Sequence, residues 1–159
     1  MMQLWIMRHG EAAPGHPDAR RELTEQGHAE VMAMAKWLAT TLAASRDQLR
    51  IVASPYVRAQ QTAAIVAEQL DTRADTLSMI TPDDPIEPII DWLQEKAQQT
   101  PLLLVSHMPL VGALSGRLVE SDPRSSLRMP TAAIATLQAD VWAAGCAELI
   151  DFRCPADLV

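Results

Sequence analysis

Several things are scarce in this sequence, and each scarcity rules something out. Only two of the 159 residues are cysteines, Cys146 and Cys154. They do not form a Cys-x-x-Cys pair, and no histidine lies near them in sequence, which argues against a disulfide framework or a cysteine-built metal site. Two reduced thiols of a cytosolic protein are expected instead. Aromatic residues make up 4% of the chain, so Ala, Leu, Val and Met must carry the core. No apolar run nears the roughly 20 residues of a membrane span. The apolar run near Met1 has only the length of a strand, and Arg8 follows it rather than preceding it, so it does not read as a secretory leader. Positive charge is also short: 13 Lys and Arg against 20 Asp and Glu give a net charge of -7. That balance speaks against nucleic acid and against anionic membrane as partners. It leaves room for a basic pocket inside an acidic protein. A cytoplasmic location is expected.

The length, 159 residues, suits a single domain spanning 1–159. A chain of that size buries roughly 70% of its unfolded surface, enough for a real core. Leu4-Trp5-Ile6-Met7 reads as a buried strand, broken by Gly10. Ala12 to Glu22 is a loop rich in Pro, Gly and charge. Thr24 is a good N-cap for a helix that runs to about Ala44, with Val31, Met34, Ala35, Leu38 and Leu42 at helical spacing. Gly27 is out of place inside that helix unless a neighbour packs closely there. Arg50 to Ala53 is a short strand, and Ser54-Pro55 reads as a cap followed by proline at the first helical position. A small strand is expected around Leu77–Met79. Asp84-Pro85-Ile86-Glu87 reads as a capping box opening a third helix.

The unbroken apolar run Leu102 to Val105 predicts a central parallel strand. Ser106-His107-Met108-Pro109 leads from it into a helix carrying Leu110, Ala113, Leu114 and Leu118. Asp122 to Pro130 is a polar loop. Thr131–Leu137 and Cys146–Phe152 read as two closing antiparallel strands. Strands alternating with helices predict an α/β fold: a three-layer sandwich whose mostly parallel central sheet is flanked by helices on both faces.

Three places then share one topological role. His9 follows the first strand, Arg58 lies in the first turn after the second, and His107 follows the apolar strand. In an open α/β sheet, ligands bind outside the carboxyl ends of the strands. With Arg8 beside His9, four groups able to carry positive charge meet at one edge, and the natural ligand is a phosphoryl group. Taken singly, each residue is more often structural or solvated; the shared edge makes the case. Two guanidinium forks suit the non-bridging oxygens of a phosphate. One neutral imidazole can attack phosphorus, and a second, protonated one can stabilise the transferring group. Such chemistry needs no metal or other cofactor, because the protein supplies the charge.

Arg8-His9-Gly10-Glu11-Ala12 resembles the signature of the histidine phosphatase (phosphoglycerate mutase-like) superfamily. Ser54-Pro55-Tyr56-Val57-Arg58-Ala59-Gln60-Gln61-Thr62 is similar to its second motif, and Val105-Ser106-His107-Met108-Pro109 to its third. Arg21-Glu22-Leu23-Thr24-Glu25-Gln26-Gly27 also fits a common segment. The stretch Leu104 to Gly112 is most similar to the bacterial phosphohistidine phosphatases of that superfamily. The resemblance implies His9 as nucleophile, with Arg8, Arg58 and His107 completing the phosphate pocket and Arg21 as a substrate-binding residue at its mouth. It implies no role for Glu11. Larger members carry a long insertion after the second motif and a carboxylate that acts as general acid. Here the insertion is missing, and the nearest acids are Asp83, Asp84 and Glu87. An imidazole leaves far more readily than a sugar alkoxide, so a missing acid fits a phosphohistidine substrate. The expected partners are a histidine-containing phosphotransfer domain of a phosphorelay or a phosphocarrier protein. A phosphatase of small phosphomonoesters and a non-catalytic phosphoprotein-binding module stand as alternatives.

Overall fold

The computed structural model describes residues 1–97 and 100–159. Six strands form one sheet in the order β3-β2-β4-β1-β5-β6: β1 (Met2–Arg8), β2 (Arg50–Ala53), β3 (Ala74–Thr76), β4 (Leu102–Ser106), β5 (Ile134–Ala139) and β6 (Glu148–Arg153). The first four are parallel, and β5 and β6 run antiparallel to their neighbours. Four helices cover the sheet: α1 (Glu25–Leu42), α2 (Val57–Gln69), α3 (Glu87–Lys96) and α4 (Leu110–Glu120). This is the layered α/β fold that the alternation of strands and helices predicts.

Side chains of a strand alternate between faces, and the core divides accordingly. Trp5, Met7, Ile51, Ala53, Leu103 and Val105 meet α1 and α2 on one face. Leu4, Ile6, Val52, Leu102 and Leu104 meet α3 and α4 on the other. Strand β4 lies between β2 and β1, and all five of its residues are buried, as its continuous apolar run requires. Each such Leu or Ile contributes about 1.5–3 kcal/mol.

Helix α1 begins as expected: the Thr24 hydroxyl accepts from the Gly27 N–H at 2.9 Å. It ends at Leu42, where Ala43 (φ 47°) turns the chain into a 3-10 segment, Ala43–Gln48. The oddity at Gly27 is resolved, because a β-carbon there would land on the carbonyl of Glu11. Gly10 fits the same contact from the other side: a β-carbon would lie 2.6 Å from Val31 Cγ2.

Four boundaries differ from expectation. Helix α2 starts at Val57 rather than at Pro55, since the Ser54 hydroxyl is spent elsewhere. The small strand is Ala74–Thr76, set by its register with Ile51–Ala53, and Leu77 only closes it by donating to the Ala53 carbonyl. No capping box opens α3. Asp84 instead accepts from the Thr81 N–H and hydroxyl at 2.8 and 2.6 Å, and Glu87 pairs with Arg117 at 2.8 Å. The closing strands begin later, at Ile134 and Glu148: the Ala132 N–H donates to the His9 carbonyl, and the Ala147 N–H to the Leu118 carbonyl. Cys146 and Cys154 are both free thiols. Among the described residues, no helix is long and apolar enough to cross a membrane.

Candidate active site

The register of the parallel strands aligns three chain exits. Arg8 is paired with Ser106, so His9 and His107 leave the sheet side by side, and the His9 N–H donates to the Ser106 carbonyl at 3.0 Å. Ala53 is paired with Val105, and the Ser54 N–H continues that ladder onto the Val105 carbonyl. The imidazoles of His9 and His107 stand 5.0 Å apart, centroid to centroid. Arg58 enters from the first turn of α2, and its Nε–H donates to His9 Nε2 at 3.3 Å. All three side chains are buried, His9 at 6% exposure, Arg58 at 4% and His107 at 1%. Arg8 is half-buried; its Nη1 donates to the Met129 carbonyl at 3.0 Å, and its Nε has no partner among the described residues.

Hydrogen bonding fixes the tautomer of His9. A carbonyl oxygen can only accept, so the 2.7 Å contact between Nδ1 and the Gly10 carbonyl puts the proton on Nδ1. Nε2 therefore carries the lone pair, which is where the Arg58 Nε–H points. Burial pushes His9 down to about 4, opposed by the Gly10 bond and reinforced by Arg58, Arg8 and Arg21. His107 is pushed down to about 3 by burial first, then by His9 and Arg58, with Asp18 acting the other way. Both shifts favour the neutral rings in the chain by itself; the expected protonation of the second imidazole concerns that ring with a phosphoryl group beside it. His107 Nε2 lies 2.7 Å from the Ser54 hydroxyl, and its Nδ1 is buried without a partner.

The loop after β1 closes over this floor. Ala12 bridges to Leu23, and the Ala13 N–H donates to the Glu22 carbonyl, pinching the excursion between them. Glu11 has a structural role, since its carboxylate accepts from the Thr24 hydroxyl at 2.7 Å. Arg21 donates to the Ala13 carbonyl at 2.8 Å and to Asp18 at 3.0 Å. It lies at the pocket mouth, turned toward the loop. Thr62 ties α2 to the same loop by accepting from the Gly10 N–H at 3.1 Å and donating to the Arg58 carbonyl at 2.8 Å.

Four participants escape a reading of the sequence. Ser54 looks like a helix cap yet holds His107. Thr62 holds Gly10 from one turn further along α2. Tyr56 presents its ring to His107 at 5.0 Å and to the Arg58 guanidinium at 5.2 Å. Asp18 accepts from Arg58 twice, at 2.7 Å through its backbone carbonyl and at 3.1 Å through its carboxylate. The acids nominated from sequence have other occupations: Asp84 closes a turn, Glu87 pairs with Arg117, and Asp83 is exposed. Among the described residues, no group of three or more His, Cys, Asp or Glu side chains is placed to hold a metal ion.

Two buried imidazoles and a guanidinium gather at the carboxyl edge of the parallel strands with Arg8 and Arg21 nearby, an arrangement whose charge and donors suit an oxyanion. Residues 4–81 match the family model described as Histidine phosphatase superfamily (branch 1). The chain is 33% identical to the phosphohistidine phosphatase SixA of Escherichia coli (strain K12) over 144 residues, 87% of this chain and 86% of that one. It is 35% identical to the SixA homolog of Haemophilus influenzae over 128 residues, 74% and 77% of the two chains. The structure of the protein histidine phosphatase SixA complexed with tungstate superposes with a TM-score of 0.87 at 31% identity, covering 99% of this chain and 100% of that one. The chain belongs to the histidine phosphatase superfamily and is a hydrolase of phosphate bonds.

Proposed function

We propose that the chain is a protein phosphohistidine phosphatase that works through a phosphorylated His9. The observation that carries this is the tautomer of His9: Nδ1–H is committed to Gly10, and the Nε2 lone pair faces the Arg58 Nε–H. In the first step His9 Nε2 attacks phosphorus and displaces the substrate's imidazole. In the second, water attacks phosphorus and releases orthophosphate and free His9. Arg8 Nε and His107 Nδ1, both without partners in the chain, supply donors to the phosphoryl oxygens. The incoming negative charge favours the protonated form of His107, reversing its depression in the chain by itself. Arg21, turned to the loop, contributes its charge at the mouth.

Two lines support phosphohistidine over an ordinary phosphate ester. The E. coli and H. influenzae relatives carry phosphohistidine in their names. Among the described residues, no carboxylic acid free to donate a proton lines the buried floor, and an imidazole needs such help far less than an alkoxide does. The partner is then a histidine-containing phosphotransfer domain of a phosphorelay, or a phosphocarrier protein, met in the cytoplasm. Phosphate release from a panel of such phosphorylated domains tests this. Turnover without added metal, with an acid-labile phosphoenzyme that His9→Ala abolishes, is expected. Turnover of sugar phosphates alone would replace the substrate class, and persistent labelling of His9→Ala would remove His9 from its role.

A further inference from the structure

The Asp18 carboxylate is the titratable group of the pocket that the mechanism above does not use, and its position is well determined. The Ala12–Leu23 bridge pins the loop that carries it. Arg21 Nη1 holds Oδ1 at 3.0 Å while Arg21 Nε anchors to the Ala13 carbonyl. Arg58 Nη2 holds Oδ2 at 3.1 Å. One guanidinium therefore spans from the attacking nitrogen of His9 to this carboxylate. Its inner end is buried, but the Asp18 side chain is 55% exposed. With the floor filled by the phosphoryl group, the rest of any substrate must lie toward solvent, on the side where Asp18 stands.

Resting on the phosphohistidine reading, we infer that Asp18 determines leaving-group specificity: its carboxylate accepts the N–H of the phosphorylated imidazole's free nitrogen and so favours the protonated ring. The step then balances without an acid. The His9 Nε2 lone pair forms a new P–N bond as the substrate's P–N bond breaks. The broken bond's electron pair stays on the departing nitrogen. The other ring nitrogen keeps its proton, so neutral imidazole leaves and nothing has to be delivered to it. The flanking arginines keep Asp18 ionised, which suits an acceptor and disqualifies a donor. The same charge repels a leaving group that carries a carboxylate. The pocket thus admits a ring that is cationic while bonded to phosphorus and leaves neutral, and it disfavours an anionic leaving group, although its floor is cationic.

Asp18→Asn tests this, since it keeps the shape and one acceptor for Arg58 but removes the charge. Wild type and variant are compared on phosphoimidazole and on p-nitrophenyl phosphate, whose leaving group departs as a phenolate with no proton. The kcat/KM ratio of the first substrate to the second is expected to fall at least tenfold in the variant. Inhibition by 3-phosphoglycerate, relative to inhibition by glycerol phosphate, is expected to strengthen at least fivefold. An equal loss on both substrates, or no change in either ratio, overturns the inference and leaves Asp18 as a brace for Arg58. Wild-type enzyme that turns over p-nitrophenyl phosphate but not phosphoimidazole overturns the substrate reading, and this inference with it.

Discussion

Arg58 and His9 meet nitrogen to nitrogen, with the Nε–H of the guanidinium directed at the unprotonated Nε2 of the imidazole at 3.3 Å. The contact orders both groups before any substrate arrives. A lysine cannot reproduce it, because an ammonium has no planar fork to hold His9, Asp18 and a phosphoryl oxygen together. Arg58→Lys is expected to lower kcat/KM by about 100-fold or more. The far-ultraviolet circular dichroism should stay unchanged. Steady-state kinetics on a chromogenic phosphate checks this.

The two buried imidazoles make the fold sensitive to acid. Their folded values, about 4 and about 3, lie below the ordinary 6.5. Between these limits the unfolded chain binds more protons than the folded one, so stability falls as pH drops from about 6.5 toward 4 and is complete above 6.5. With both groups contributing, the slope approaches about 2.7 kcal/mol per pH unit. Urea denaturation at pH 7 and pH 5 measures it. His107→Gln should shrink the difference, and a saturating oxyanion should shrink it too.

Ser54→Ala removes the hydroxyl that holds His107 Nε2 at 2.7 Å and that also accepts from the Tyr56 N–H at 3.2 Å. Leaving buried groups unpaired costs about 1–3 kcal/mol of stability. A loosened imidazole also costs turnover, by about 10–100-fold. Paired thermal melts and kinetics should show both losses, with the larger share in kcat.

Gly27→Ala would put a methyl group onto the Glu11 carbonyl, where the backbone of the first loop lies against α1. Overpacking of this kind costs about 1–3 kcal/mol. The Thr24 N–H also donates to that carbonyl, at 3.0 Å, so the loop carrying Gly10 should shift with it. A lowered melting temperature together with weakened orthophosphate binding is the expected outcome.

The layered fold was legible because its signals are periodic and local. The run Leu102 to Val105 has the length and composition of a strand buried on both faces, and the stripe Val31, Met34, Leu38 the spacing of one side of a helix. Candidate residues at strand ends followed from topology. Ser54 and Asp18 were a different case. A short polar side chain before a proline or beside a turn fits a helix cap on local grounds alone. Whether its oxygen instead reaches a ring or a guanidinium depends on segments tens of residues away. Ser54 went to His107 and Asp18 to Arg58, and neither partner can be inferred from the neighbours of the serine or the aspartate. Glu87 is similar: its carboxylate pairs with Arg117 of α4, 30 positions away, at 2.8 Å.

The partners of this pocket are far apart along the chain: Arg58 lies 49 positions from His9, and His107 lies 53 from Ser54. A nascent polypeptide that has not yet released β4 from the ribosome has the first imidazole but not the second. On the roles proposed for His9 and His107, the pocket is assembled only when β4 lies between β2 and β1, so an agent that pries β4 loose is expected to abolish turnover.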